Sequence, residues 1–349
     1  MKRVLVFITD MALGGRQTFC LTLVNELIRQ GVDCSMYISY GGGANLGWID
    51  RHIETYISDR AVSKSMLRLV RFVRKYPESP CFVLSTEMTI VLCLLKRLGL
   101  IRNPIYHRES MEAGKFDFKW RMLVRFFFPV LSGMVVTSDE MGKEFSRIYR
   151  VKHPVTMVRN PCRFSERPES QIDVPLQSDL LLSVARLHPQ KGHDRLLRSF
   201  ARFGEGYQLE LWGEGELEQT IKSQVDGLGI GGRVCFCGHS HDVASVYRSG
   251  GILVFASYYE GLPNALIEGI VCGCRAVVPD CLPGTVELMN ELGVGDAVVR
   301  GDFESNLFPT IERVNAQSAE VWETARQKLI ELTRTEDAVK RIAAFIGVE

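Results

Sequence analysis

The stretch Ser257-Tyr-Tyr-Glu-Gly-Leu-Pro-Asn-Ala-Leu-Ile-Glu268 decides how this chain is read. Ahead of it, Ile252-Leu-Val-Phe255 is a short unbroken apolar run of the kind a buried strand shows. Pro263 suits the first turn of a helix, where its missing N–H costs nothing, so the local plan is strand, loop, helix. A helix start offers unpaired N–H groups and the positive end of its dipole to an anion. Glu260 before it and Glu268 within it add two carboxylates that accept from hydroxyls. An anion with hydroxyls on either side describes a nucleotide sugar.

Upstream, Val184-Ala-Arg-Leu-His-Pro-Gln-Lys-Gly192 follows another buried run and sets Arg186 and Lys191 at a strand's carboxyl end. A guanidinium fork and a compact ammonium there can neutralise a diphosphate without a metal. Around these loops the pattern alternates, with strands expected at 180–184, 208–211, 233–236, 252–255 and 275–278 and helices at 194–203, 217–228 and 242–248. The first half alternates in the same way. Strands are expected at 4–8, 34–38, 81–84, 104–107 and 134–137, and helices near 17–30, 64–75 and 89–98. Between the halves, residues 157–168 lose the pattern and read as a linker. The chain is therefore α/β, with two doubly wound domains at 1–164 and 165–332 and binding residues expected at the carboxyl ends of strands. A helix at about 333–349 is expected to pack back on the first domain.

Hydrophobic residues make up 46% and charged residues 24% of the 349, the balance of a globular chain that buries ordinary cores. The net charge of +1 hides an asymmetry. Residues 1–160 carry 24 Lys or Arg against 14 Asp or Glu, a balance of +10, and the remainder carry 18 against 27, a balance of −9. The basic half suggests an anionic partner such as a membrane surface, and no nucleic-acid motif accompanies it. The ten cysteines lack metal spacing: Cys235/Cys237 and Cys272/Cys274 are C-x-C pairs, and no zinc site is expected. The apolar start is too short for a signal peptide, and no run approaches the roughly 20 apolar residues of a membrane span. A reduced, cytoplasmic protein is the expectation.

The order Gly14-Gly15, Ser138, Asn160-Pro161, Ala185-Arg186, Lys191-Gly192, Gly213-x-Gly215, Gly238, Glu260-Gly-Leu-Pro-Asn-x3-Glu268 and Gly273 resembles the retaining glycosyltransferases of family four, the group 1 type. The resemblance covers most of the chain, and residues 180–287 carry it most strongly. It implies the GT-B fold, two Rossmann-like domains facing a cleft, with the acceptor held by the first and the donor by the second. It also implies that Arg186 and Lys191 clamp the diphosphate, that Glu260 contacts the transferred sugar, and that Glu268 holds the ribose hydroxyls. By the same resemblance the backbone N–H groups of Leu262, Asn264 and Ala265 approach the phosphates, Gly213 and Gly238 lie near the base, and Gly15 leaves room for diphosphate and acceptor. No cofactor and no metal are expected, and no Asp-x-Asp occurs in the chain.

The match departs from the family at Arg16-Gln17, where many relatives have a small residue and Glu, which bears on acceptor binding by Arg16. In Tyr106-His-Arg-Glu-Ser110, His107 is a candidate catalytic group and Arg108 and Glu109 are candidate acceptor ligands. The segment from Lys115 to Pro129 alternates bulky apolar residues with cations and suits either an anionic membrane interface or a core helix with a basic edge. The expected reaction is transfer from a UDP-sugar to a saccharide or lipid-linked saccharide in surface polysaccharide or lipopolysaccharide synthesis. A UDP-sugar 2-epimerase of the same fold, or a non-catalytic nucleotide-sugar-binding subunit, is the alternative. A nicotinamide dehydrogenase is disfavoured because the first β-α turn lacks G-x-G-x-x-G.

Overall fold

The computed structural model describes residues 3–12, 14–41, 43, 45–58, 66–110, 117–162, 164–165, 177–240 and 242–348. The first two residues of the expected helix 64–75 and of the segment 115–129, and parts of the linker 157–168, lie outside the described residues. The chain forms two compact units, one of Met1–Pro161 with Thr333–Glu349 and one of Cys162–Leu332. The boundary falls before Cys162 and not at residue 165, because the Cys162 side chain is buried in the core of the second unit.

In the first unit the strands are β1 (Arg3–Ile8), β2 (Asp33–Ile38), β3 (Glu54–Ile57), β4 (Cys81–Val83), β5 (Ile105–Arg108), β6 (Gly133–Val136) and β7 (Val155–Met157). They form a parallel sheet in the order β3-β2-β1-β4-β5-β6-β7. The central strand β1 shows why the apolar runs are unbroken. Val4, Val6 and Ile8 enter one core and Leu5 and Phe7 the other, so both faces are covered by helices. The second unit repeats the plan with β8 (Leu180–Val184), β9 (Gln208–Trp212), β10 (Val234–Gly238), β11 (Ile252–Val254), β12 (Arg275–Pro279) and β13 (Val298–Val299). Its order is β10-β9-β8-β11-β12-β13, again parallel. The expected α/β class and doubly wound sheets are present. Winding reverses between β1 and β4 in one sheet and between β8 and β11 in the other, and ligands of open α/β sheets bind at the carboxyl side of such points.

Strands β3, β7 and β13 escape the sequence pattern because they are short and stand at sheet edges, where no continuous apolar run is required. The helix Thr86–Arg97 starts three residues before the expected 89, since the Ser85 hydroxyl accepts the Met88 N–H and fixes the earlier start. Pro263 is not inside a helix; it is extended (ψ 127°) in the N-cap position, and the helix runs Asn264–Val271.

The last helix, Thr335–Ile346, packs on Gly15–Arg29 of the first unit and places Val339, Ile342 and Ile346 in the same core as β1. Phe345 meets Tyr106 edge-on at 5.6 Å, and a Cβ on Gly133 would stand 2.7 Å from the Phe345 ring. Ile342 is fully buried, so Ile342→Ala should cost about 2–5 kcal/mol. The first unit should then melt at lower temperature in calorimetry while the second unit's transition stays in place.

Candidate functional site

In the second unit the loops after β8 and β11 lie at the winding reversal, and backbone hydrogen bonds fix both. After β8 the ladder continues one residue, with Ala185 N–H donating to Trp212 O (2.9 Å), and the Leu187 N–H reaches Glu214 O (3.0 Å). The loop after β9 therefore lies directly on the loop after β8. A Cβ on Gly213 (φ 134°) would stand 2.1 Å from Ala185 O, and one on Gly215 would stand 2.4 Å from Leu187 O. This close approach is the physical content of Gly213-x-Gly215. The Gly213 N–H in turn donates to Gly238 O at 2.7 Å, which brings the two glycines together at adjacent strand ends.

Next comes a single 3-10 turn, Pro189–Lys191, started by the His188 ring accepting the Gln190 N–H (3.2 Å). Gly192 then takes a left-handed conformation (φ 66°) and the helix His193–Phe200 begins. Gln190 ties this turn to the loop after β11: its side-chain amide donates to Tyr259 O (2.8 Å) and its carbonyl accepts the Tyr258 N–H (2.9 Å). Arg195, one helical turn on, donates to Ala256 O (2.8 Å) and Ser257 O (2.6 Å).

These ties bring Lys191 and Glu260 into a charge-assisted hydrogen bond with both side chains 16% exposed. The Ser257 hydroxyl donates to the other oxygen of Glu260 at 2.9 Å. Arg186 stands exposed on the same loop. Leu262 is buried, while Asn264 and Ala265 occupy the first turn of the helix that carries Glu268. Glu268 accepts from the Tyr247 hydroxyl at 3.2 Å, and burial together with the Glu268 charge holds that phenol far above its ordinary pKa, so it remains a donor. The sequence reading named the ligand-type residues and missed those that hold them: Gln190, Arg195, Ser257 and Tyr247. Arg195 carried one signal, a cation one turn after Lys191 on a helix start.

In the first unit Gly15 opens the helix Gly15–Arg29 and is exposed, with Arg16 beside it half-buried. His107, Arg108 and Glu109 end β5, and all three are buried. His107, the candidate catalytic group, is 1% exposed, with Nδ1 bonded to Thr89 Oγ1 (2.8 Å) and Nε2 to Glu109 Oε2 (3.1 Å). Glu109 also accepts from Thr86 Oγ1 (3.1 Å) and the Ser110 N–H (2.8 Å). Arg108 donates to Asn160 Oδ1 and stacks over Phe19 at 3.7 Å, and its Nε has no hydrogen-bond partner among the described residues. Burial pulls the Arg108 pKa down to about 9, and the nearby Arg16 adds to the fall, so the guanidinium is still charged at neutral pH.

Behind Lys191, His193 is 2% exposed and neither ring nitrogen has a hydrogen-bond partner among the described residues. Burial lowers its pKa to about 4 and the Lys191 charge adds to the fall. The unfolded chain takes up this proton near 6.5, so the unfolded state binds more protons between about 6.5 and 4. Stability is complete above that window and falls as pH drops through it, by about 3 kcal/mol at its foot. In His193→Leu this component should vanish, and urea midpoints followed from pH 7 to pH 4, about the span of the titration, should decline less steeply than in the parent.

Residues 165–305 match the family described as glycosyl transferases group 1. An N-acetyl-D-galactosaminyltransferase of Campylobacter jejuni, named for a diNAcBac-PP-undecaprenol-linked acceptor, is 26% identical over 77% of this chain and 77% of its own length. The lipopolysaccharide core biosynthesis glycosyltransferase LpsE of Rhizobium meliloti is 29% identical over 76% of this chain and 75% of its own. Among solved structures, Anabaena HepE in complex with UDP-glucose superposes with a TM-score of 0.82 at 15% identity, covering 100% of both chains. Fold, family match and relatives agree: residues 165–305 of the chain match the group 1 glycosyl transferases, and the chain has the GT-B fold.

Proposed function

We propose that the chain moves a sugar from UDP to a saccharide or lipid-linked saccharide acceptor, in the assembly of a bacterial surface glycan. The observation that carries this reading is the convergence of Lys191, Glu260 and the Arg186 loop at the crevice between β8 and β11. The donor sits on the second unit, with Arg186, Lys191 and the N–H groups of Leu262, Asn264 and Ala265 at the diphosphate. Glu268 holds the ribose hydroxyls, and Gly213 and Gly238 flank the base. Gly15, Arg16, Arg108 and Glu109 serve the acceptor, with His107 positioning Glu109. A HepE structure holding UDP-glucose and a Campylobacter relative named for an undecaprenol-linked acceptor support the choice of donor and acceptor class. A reaction joining such partners belongs at the cytoplasmic face of the membrane.

Charge accounting gives the mechanism. Breaking the anomeric bond puts negative charge on the departing diphosphate and oxocarbenium character on the sugar. Cations and a helix start fixed at the phosphate favour that state over the ground state. Lys191 begins paired with Glu260. A diphosphate brings more negative charge than one carboxylate, so on donor binding the ammonium turns to phosphate and Glu260 is released to the sugar hydroxyls. In front-face attack the acceptor hydroxyl enters where the diphosphate leaves and passes its proton to a phosphate oxygen, which retains the anomeric configuration.

Lys191→Ala and Glu260→Ala should each lower transfer by about 10²–10³-fold in protein that still folds. Arg186→Ala should raise the donor KM. Near-normal rates in the first two would remove these roles, and conversion of a UDP-sugar to its isomer without acceptor would favour the epimerase.

A further inference from the structure

We propose that Cys235 and Cys237 form a dithiol that a hydroperoxide closes to a disulfide, and that closure weakens nucleotide binding at the neighbouring Gly238. The two thiols lie on one side of β10, an edge strand of the second sheet, with their sulfurs 3.5 Å apart and the Cys237 S–H donating to Cys235. Cys235 is exposed and Cys237 half-buried, whereas seven of the other eight cysteines are buried, so a small polar oxidant reaches this pair before most others. Cys272 and Cys274 share the spacing without the access: both are buried, and Cys274 donates its S–H to Tyr247 O.

The sulfurs must close from 3.5 Å to about 2 Å. Residues two apart in an extended strand stand near the long end of the Cα separations that a disulfide spans, so the bond forms under strain and a thiol reductant reopens it readily. The backbone here can give. Strand β10 has β9 as its one neighbour, and its register shifts between Phe236 and Gly238, which leaves Cys237 without a ladder partner. Next to it Gly238, in a left-handed conformation (φ 66°), accepts the Gly213 N–H at 2.7 Å. Pulling Cys237 toward Cys235 displaces that carbonyl. The effect on nucleotide rests on the donor reading, in which Gly213 and Gly238 flank the base; the disulfide itself does not.

Burial, with the hydrogen bond to Cys235 adding, pushes the Cys237 thiol up to about 12, so Cys237 stays protonated and Cys235 meets the oxidant first. With hydrogen peroxide, the Cys235 thiolate attacks one oxygen and the O–O bond breaks. The departing hydroxide takes up the proton that Cys235 released and leaves as water. The Cys237 sulfur then displaces the hydroxyl of the sulfenic acid, the S–S bond forms, and the Cys237 proton leaves with that hydroxyl as a second water. The two thiols lose two electrons and the peroxide gains them.

The test treats the reduced full chain with hydrogen peroxide, alkylates the remaining thiols after denaturation, and weighs the tryptic peptide of residues 234–248, which holds both cysteines. That peptide should be two hydrogens lighter and unalkylated, and dithiothreitol should restore it. In titration calorimetry UDP should bind the oxidised chain about fivefold more weakly than the reduced one, as for the loss of one hydrogen bond. Cys235→Ser/Cys237→Ser should bind UDP like the reduced parent and ignore peroxide, and an unchanged melting temperature verifies its fold. A 234–248 peptide that stays alkylated while the exposed Cys281 is oxidised would overturn the disulfide. Undiminished UDP affinity in the disulfide form, or a loss that persists in the double Ser variant, would overturn its effect on nucleotide. UDP that fails to bind the reduced chain would instead sink the donor reading, and the peptide mass would still decide the disulfide.

Discussion

Two opposite charges meet where the second sheet reverses its winding, and the surrounding backbone is arranged to bring them together. At about 4 Å and an effective dielectric near 20, such a pair attracts by about 4 kcal/mol, while removing both charges from water costs several kcal/mol for each. The Lys191–Glu260 pair is therefore a poor source of net stability and a good means of fixing position. The stabilisation lies around it, in Gln190 and Arg195 gripping the carbonyls of 256, 257 and 259 and in glycines that let loops touch backbone to backbone. The backbone of these loops is thereby fixed, while the two charges satisfy each other.

The first unit uses its equivalent strand ends differently. Its polar residues at the end of β5 are withdrawn from solvent and satisfied by one another, through Thr89, His107, Glu109 and Thr86 in one chain of hydrogen bonds and Arg108 with Asn160 beside it. Buried networks of this kind fix side-chain directions closely because any departure leaves a polar atom unpaired. The exception is the orphaned Nε of Arg108, a donor kept dry with no partner among the described residues.

The sheets were legible because strands buried on both faces must be continuously apolar, as the run from Val4 to Ile8 is, and because parallel strands need helices between them. The loops at the strand ends were legible through residue type, since Arg186, Lys191, Glu260 and Glu268 sit where chemistry is concentrated in such folds. What the one-dimensional pattern could not carry was pairing across 69 positions: nothing near Lys191 says that its partner is Glu260. Nor could it carry burial. Tyr-His-Arg-Glu at 106–109 looks like a polar strand end, yet β5 lies inside the sheet between β4 and β6, and the helix Thr86–Arg97 covers the His107 side with Thr89.

The return of the last helix to the first unit has a consequence for the order in which the molecule can be completed. A chain made from its amino end delivers β1 first, yet the core around β1 lacks Val339, Ile342 and Ile346 until almost the whole sequence has been made. The second unit, Cys162–Leu332, has every residue of its own core before that helix is available. Domains generally fold as units during synthesis, in order of emergence. Here the unit that starts first is completed last, after the second has already been able to fold.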